Sequence, residues 1–225
     1  VRLFETGVVF LQEETLDEVP RIGAVVCGSA RPEQWGSRKR PVDFYDLKND
    51  IDALMQLRGD GAEWVYRSEP QAWLHPGQAA SIQVGGQSAG WAGAIHPGVL
   101  KALDIKVPVL AFELNINTIS KRELPNAKNI SRFPSVRRDL AFLLPEQVEY
   151  QQIRESVTKT AGELLADLLI FDVFSGENVE KGYKSLAIGL ILQDVSCTLT
   201  DEVVDSVMKK VIQALESQLL AQHRG

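Results

Sequence analysis

Apolar and polar residues alternate along "RLFETGVVFL" and "RIGAVVCGSA", the pattern of β-strands rich in β-branched and aromatic residues. Over 42–57 the period lengthens. Phe44, Leu47, Ile51, Leu54 and Met55 recur at three- and four-residue spacing, with Gly59 just beyond, which predicts an amphipathic helix. "AASIQVGGQSAGWAGAIHPG" returns to strands around Gly85–Gly86, where both glycines can take positive φ in a tight hairpin turn. "VPVLAFELNI" adds another strand. Strands linked by tight turns pair antiparallel, so residues 1–120 predict an α+β unit with its helix on one sheet face.

Between Lys121 and Arg138 the pattern lapses. Lys121, Arg122, Lys128, Arg132, Arg137 and Arg138 stand against Glu123 alone, and Pro125 and Pro134 favour extended backbone. We read 121–130 as a basic linker and 131–225 as a second domain. There "RDLAFLL" is a strand, and "EYQQIRESVTKTAGELL" a helix with Tyr150, Ile153, Val157 and Ala161 on one stripe. "DLLIFDVF" turns through "SGENVEKGY" into "KSLAIGLIL", two further strands. "TDEVVDSVMKKVIQALESQL" is a helix with acids in its first turn and an apolar face of Val204, Val207, Met208, Val211 and Leu215. "LLAQHR" supplies a short last strand. The order βαββαβ predicts a ferredoxin-like unit, both helices on one face of a four-stranded sheet and the other face open.

Alternation sorts the strand residues by face. Leu140, Phe142, Leu144, Leu186, Ile188, Leu190 and Leu192 belong under the helices; Asp139, Ala141, Leu143, Ala187, Gly189 and Ile191 face the other way. In "DLLIFDVF" either Asp172 and Phe174 or Phe171 and Val173 point outward, and the cost of burying an unpartnered Asp favours the first pair. Small residues, an aromatic ring and arginines at the edge of an open sheet suit stacked, unpaired bases with their phosphates. The alternative is that Phe174 packs on the linker and the arginines are solvated or paired with Asp139 and Asp172. "KSLAIGLIL" lacks the aromatic signature of the common RNA-recognition sheet, and no CxxC marks a metal carrier. A module that docks a protein or small ligand stays open as the second reading.

A net charge of −6 over 225 residues argues against a protein that coats nucleic acid, so any RNA contact must be local. Cys27 and Cys197 lie too far apart for a metal or redox motif and read as reduced, buried residues of a cytoplasmic protein. No run approaches the roughly 20 apolar residues of a membrane span. His75 and His96 are each followed by Pro-Gly, which predicts turns at strand ends rather than catalysis. With no initial Met and a start inside a strand pattern, the sequence reads as a fragment of a longer polypeptide.

"ISRFPSVRRDLAFLL", "LLIFDVFSGENVEKGYKSLAIGLILQD" and the final helix resemble the C-terminal anticodon-binding domain of bacterial phenylalanyl-tRNA synthetase β subunits. "RLFETGVVF", "VDFYDLKNDIDALM", "LHPGQAASI", "GWAGAIHPGVL" and "VLAFEL" resemble the same subunit's core, in order, so the resemblance covers the whole chain. It implies a class II synthetase-like antiparallel sheet without its chemistry, followed by the ferredoxin-like domain. It also implies an α-subunit partner in an α2β2 heterotetramer, tRNA(Phe) as ligand, and ATP and Mg2+ as requirements of the holoenzyme only. No residue here is assigned to catalysis or to a metal. Within the expected RNA surface, Arg132, Arg137, Arg138 and Lys184 would meet phosphates, Phe174 would stack on a base, and Asp172 or Ser185 would offer polar contacts. On the first helix Asp43, Asp46, Asp50 and Asp52 read as a solvated acidic face, some of it available to basic residues of the α subunit.

Overall fold

The computed structural model describes residues 1–12, 16–59, 61–121, 131–176 and 179–224. The chain forms two compact units, Val1–Asn126 and Ala127–Gly225. The basic linker expected at 121–130 falls, but for Lys121, outside the described residues, and with it Arg122 and Lys128.

The first unit is a six-stranded sheet, antiparallel throughout, in the order β1-β2-β6-β5-β4-β3. Its strands are β1 (Arg2–Gln12), β2 (Leu16–Cys27), β3 (Trp64–Ser68), β4 (Leu74–Val84), β5 (Gln87–Ile95) and β6 (Val109–Asn115). Gly85 and Gly86 turn β4 into β5 with φ of 56° and 79°, values that only glycine adopts without strain. Helix α1 (Phe44–Gln56) starts at Asp43, whose carboxylate accepts from the amides of Tyr45 and Asp46 while Asp46 accepts from the amide of Asp43. Leu47, Ile51 and Met55, one turn apart, are buried against Ile82, Ala92, Phe112 and Leu114.

The sequence missed three elements. The edge strand β3 is short, and helices α2 (Pro97–Ala102) and α3 (Ile116–Ile119) show too little periodicity to read. "HPG" at 96–98 is the start of α2 rather than a plain turn: His96 caps it, accepting from the Gly98 amide through Nδ1 at 3.0 Å. His75, the second residue of β4, holds the Gly77 amide in the same way at 3.1 Å, in the irregular stretch between Leu74 and Ala79 at the start of the strand.

The second unit has the expected βαββαβ order: β7 (Val136–Pro145), α4 (Tyr150–Ala161), β8 (Leu165–Phe174), β9 (Tyr183–Leu192), α5 (Asp201–Leu219) and β10 (Gln222–Arg224). The strands lie in the order β10-β7-β9-β8, all antiparallel. Leu140, Phe142 and Leu144 from β7 and Leu186, Ile188, Leu190 and Leu192 from β9 pack under the helices against Ile153, Val157, Val204, Val211 and Leu215. Eighteen buried apolar side chains make this core continuous, enough to hold the central strands in one register.

Candidate nucleic-acid interface

The register of β7 and β9 sets the helix-free side of the second sheet. Arg137 lies opposite Ile191, Asp139 opposite Gly189, Ala141 opposite Ala187 and Leu143 opposite Ser185. Directly opposed residues share a face, and their neighbours Leu140, Phe142, Leu186 and Ile188 are all in the core. On the edge strand β8, Leu169, Asp172 and Phe174 face Gly189, Ala187 and Ser185, so they lie on the same helix-free side.

Strict alternation fails at two points of β8, between Leu165 and Asp167 at its start and again within the candidate site. The pairing of β8 with β9 slips between Ile170 and Asp172, and Phe171 sits in the bulge. Its ring lies under the Arg137 guanidinium, with Cζ 5.3 Å from the ring centroid. Phe171 therefore joins Asp172 and Phe174 instead of opposing them. Val173 faces Leu186 on the helix side but stays 57% exposed, because no strand covers this edge.

Arg137 is fixed to the sheet surface. Its Nε donates to Oδ1 of Asp139 at 2.7 Å, and Nη2 donates to Oδ2 at 3.4 Å. Both groups lie over Gly189, where an added methyl would come within 3.0 Å of the Asp139 carboxylate and 3.2 Å of Arg137 Nε. Glycine at this position lets the ion pair lie flat. Pairing of Arg137 with Asp139 belongs to the alternative weighed above, whereas Asp172 is exposed and has no partner among the described residues. Phe174 is 45% exposed and Phe171 52%.

Two expected phosphate ligands lie elsewhere. Arg138 faces Leu190 on the helix side, and its Nη2 donates to Asp201 in the first turn of α5 at 3.0 Å. Adjacent strand residues point to opposite faces, so Arg137 and Arg138 cannot border the same one. Lys184, opposite Leu144, is also on the helix side. Its Nζ donates to the carbonyls of Glu146 (3.0 Å) and Val148 (2.6 Å), clasping the loop from β7 to α4. Burial lowers the Lys184 pKa, against the opposing pull of Glu146 and Glu149. Arg132 is exposed and has no partner among the described residues. Its segment is anchored by Ser131 Oγ donating to the Asp194 carbonyl at 2.8 Å and Gln193 Nε2 donating to the Phe133 carbonyl at 2.7 Å. Ser185 lies between Leu143 and Phe174, half-buried.

The acids of α1 all have partners within the chain, although Asp43 stays exposed as the solvated-face reading expects. Asp43 and Asp46 form the cap, and Arg40 Nη1 donates to Asp46 at 2.6 Å, which, as a hydrogen bond, holds that carboxyl well below the usual range. Asp50 pairs with Arg2. Burial alone would raise the Asp52 pKa, but hydrogen bonds from Lys48, Tyr66 and Trp64 outweigh it and lower it. Tyr66 and Trp64 each donate to Asp52 Oδ1 at 2.7 Å. On the helix-free side of the first sheet a groove of about 720 Å³ runs over Gly23, Ala111, Val25 and Trp91, with Arg21 and Glu113 paired at 3.2 Å. Among the described residues no three His, Cys, Asp or Glu side chains converge as metal ligands, and no helix is long and apolar enough to cross a membrane. Cys27 is half-buried and Cys197 is exposed, so the expectation of two buried thiols holds for neither in full.

Residues 1–116 match the phenylalanyl tRNA synthetase beta chain CLM domain, and residues 131–224 match the ferredoxin-fold anticodon binding domain. Along its whole length the chain is 46% identical to the phenylalanine–tRNA ligase beta subunit of Xanthomonas euvesicatoria pv. vesicatoria, of which it covers 29%. Over 97% of its length it is 43% identical to the beta subunit from Xylella fastidiosa strain Temecula1, covering 28% of that protein. The chain thus spans less than a third of the curated relatives it matches. With both domain families matched in order, this chain belongs to the phenylalanyl-tRNA synthetase β chain family, as its CLM and anticodon-binding region.

Proposed function

We propose that the chain acts as the C-terminal part of a phenylalanine–tRNA ligase β subunit, whose second unit binds the anticodon region of tRNA(Phe) on its helix-free sheet face. Aminoacylation, with its ATP and Mg2+, belongs in this reading to the α subunit of an α2β2 enzyme. The observation that carries it is the grouping of Phe174 and Asp172 on edge strand β8 with Ser185 of β9 beside them, on one sheet face of a domain from an anticodon-binding family. Phe174 offers a ring for an unpaired base. Asp172, acceptor-only and unpartnered among the described residues, suits the N–H groups of a base's Watson–Crick edge. Arg132, unpartnered among the described residues, supplies a guanidinium for phosphate.

The test is binding of a tRNA(Phe) anticodon stem-loop to the 225-residue chain, followed by fluorescence anisotropy. Phe174→Ala is expected to cost about 1–3 kcal/mol, the usual worth of one base–aromatic stack. Asp172→Ala is expected to weaken the cognate loop more than a loop of altered sequence. Equal binding of both loops by the wild-type chain would remove base recognition from the reading.

Assembly with the α subunit falls to the first unit. Supporting this, β1 and β2 form a ribbon with large apolar side chains in solvent, Phe4 at 76% and Phe10 at 62% exposure. A Phe4→Asp, Phe10→Asp double variant should fold, since neither ring is in the core, and should lower α–β association in sedimentation experiments. Unchanged association would place the contact elsewhere.

A further inference from the structure

We propose that Arg137, paired with Asp139 over Gly189 and backed by Phe171, is a stacking platform for a second unpaired base rather than a phosphate clamp. This rests on the reading of the helix-free face as the RNA surface, and it assigns a subsite that the sequence did not suggest.

Three observations converge. The Asp139 carboxylate occupies the Nε and Nη2 edge of the guanidinium, with distances of 2.7 and 3.4 Å. That is one of the two edges at which a guanidinium takes a phosphate in a bidentate contact, and an anion already occupies it and balances the charge. Gly189 then leaves no side chain under the pair, so Nε and Nη2 lie close to the strand, where a Cβ would come within 3.2 and 3.3 Å of them, while the side chain stays half exposed. Finally the Phe171 ring supports it from the bulge at 5.3 Å. A cation held beside an aromatic ring is a preorganised surface, and its exposed side is available to another π-system. Arginine planes and aromatic rings are the two kinds of side chain on which splayed-out RNA bases stack.

The platform is distinct from the Phe174 position. Phe171 and Phe174 are three residues apart on β8, at most about 10 Å by strand rise. That separation serves two different bases, not one. Both rings remain about half exposed, and Asp172, paired with Ala187, lies between them on the strand, so neighbouring nucleotides of a loop can lie across this surface. Asp139 has a second role here. By matching the Arg137 charge it makes this part of the face close to neutral, so contact is governed by stacking instead of by polyanion attraction.

The experiment is a binding titration of the 225-residue chain with the tRNA(Phe) anticodon stem-loop across a salt series, using wild type, Arg137→Lys, Arg137→Ala and Phe171→Leu. Each is repeated on stem-loops carrying one abasic site at successive loop positions. Lysine keeps the charge but loses the plane. The expected result is a loss of about five- to hundredfold for Arg137→Lys as for Arg137→Ala, with the log–log salt slope unchanged. Phe171→Leu should lose affinity too, and one abasic loop should erase the difference between wild type and Arg137→Lys.

Near-wild-type affinity of Arg137→Lys, with a salt slope reduced by about 0.7 in Arg137→Ala, would establish a phosphate contact and overturn the platform. No abasic position coupling to Arg137 would overturn it as well. If Phe174→Ala weakens binding and none of the Arg137 or Phe171 variants does, the subsite falls while the anticodon reading stands. If the wild-type chain binds no stem-loop, both fall. Should Arg137→Ala unfold, Arg137→Lys and Phe171→Leu still decide the matter.

Discussion

At the level of single residues, Lys184 and Arg137 are both engaged within the chain, against what composition suggests for them. Both read as basic side chains near a strand, free to meet phosphate. Lys184 instead donates to two carbonyls of the loop between β7 and α4, residues that the sequence keeps nearly forty positions away. We expect Lys184→Met to lower the unfolding free energy by about 1–2 kcal/mol, as lost charge-assisted hydrogen bonds do, and to leave stem-loop affinity unchanged. Denaturant titration and anisotropy on the same variant check both halves. An affinity loss with unaltered stability would return Lys184 to the RNA surface. Asp52 makes the same point on the acidic side. It reads as one of four solvated acids, yet it collects an indole, a phenol and an ammonium. Nothing in a helical spacing reveals that, since the two aromatic partners come from β3.

Among the elements, α1 and β8 behave differently when read from pattern alone. The apolar stripe of α1 is legible because burial on one face imposes a period, and Leu47, Ile51 and Met55 are buried as that period requires. What fastens α1 to the edge strand β3 is Asp52, and this gives a pH dependence with a definite sign. Its folded pKa is lowered, so its contribution is fully present above the ordinary carboxylate range and is lost as pH falls through the folded value. Asp52→Ala should therefore cost about 2 kcal/mol at neutral pH and progressively less in acid, which unfolding curves at several pH values would record. Alternation along β8, by contrast, breaks at Phe171, because an edge strand can absorb an extra residue without disturbing a core. Strand β5 shows the opposite constraint. A side chain at Gly90 would place its Cβ 1.9 Å from the Glu113 carbonyl oxygen, at a φ of +152°. Gly90→Ala is expected to cost at least about 3 kcal/mol, seen as a lower thermal midpoint of the full chain.

For the whole molecule, the net charge of −6 and a local RNA face are compatible because phosphate attraction follows charges within a Debye length. With Arg137 neutralised by Asp139, and Arg138 and Lys184 turned to the helix side, Arg132 is the expected phosphate ligand left without a partner among the described residues. We expect a shallow salt dependence, a log–log slope between about −0.7 and −2, corresponding to one to three phosphates. A slope steeper than −4 would require a basic surface other than this one.

The sequence by itself determined the class and order of the main elements, the ferredoxin-like βαββαβ unit and which strand faces enter its core. Burial of one face imposes a period on the residues, and a period is a local property that can be read along a chain. Phe174 and Asp172 were legible as candidates on that basis. Only the tertiary structure decided which charges are available. An ion pair, a clasped carbonyl or a ring slipped in by a bulge depends on residues brought together across strands, and no spacing in the sequence encodes those meetings.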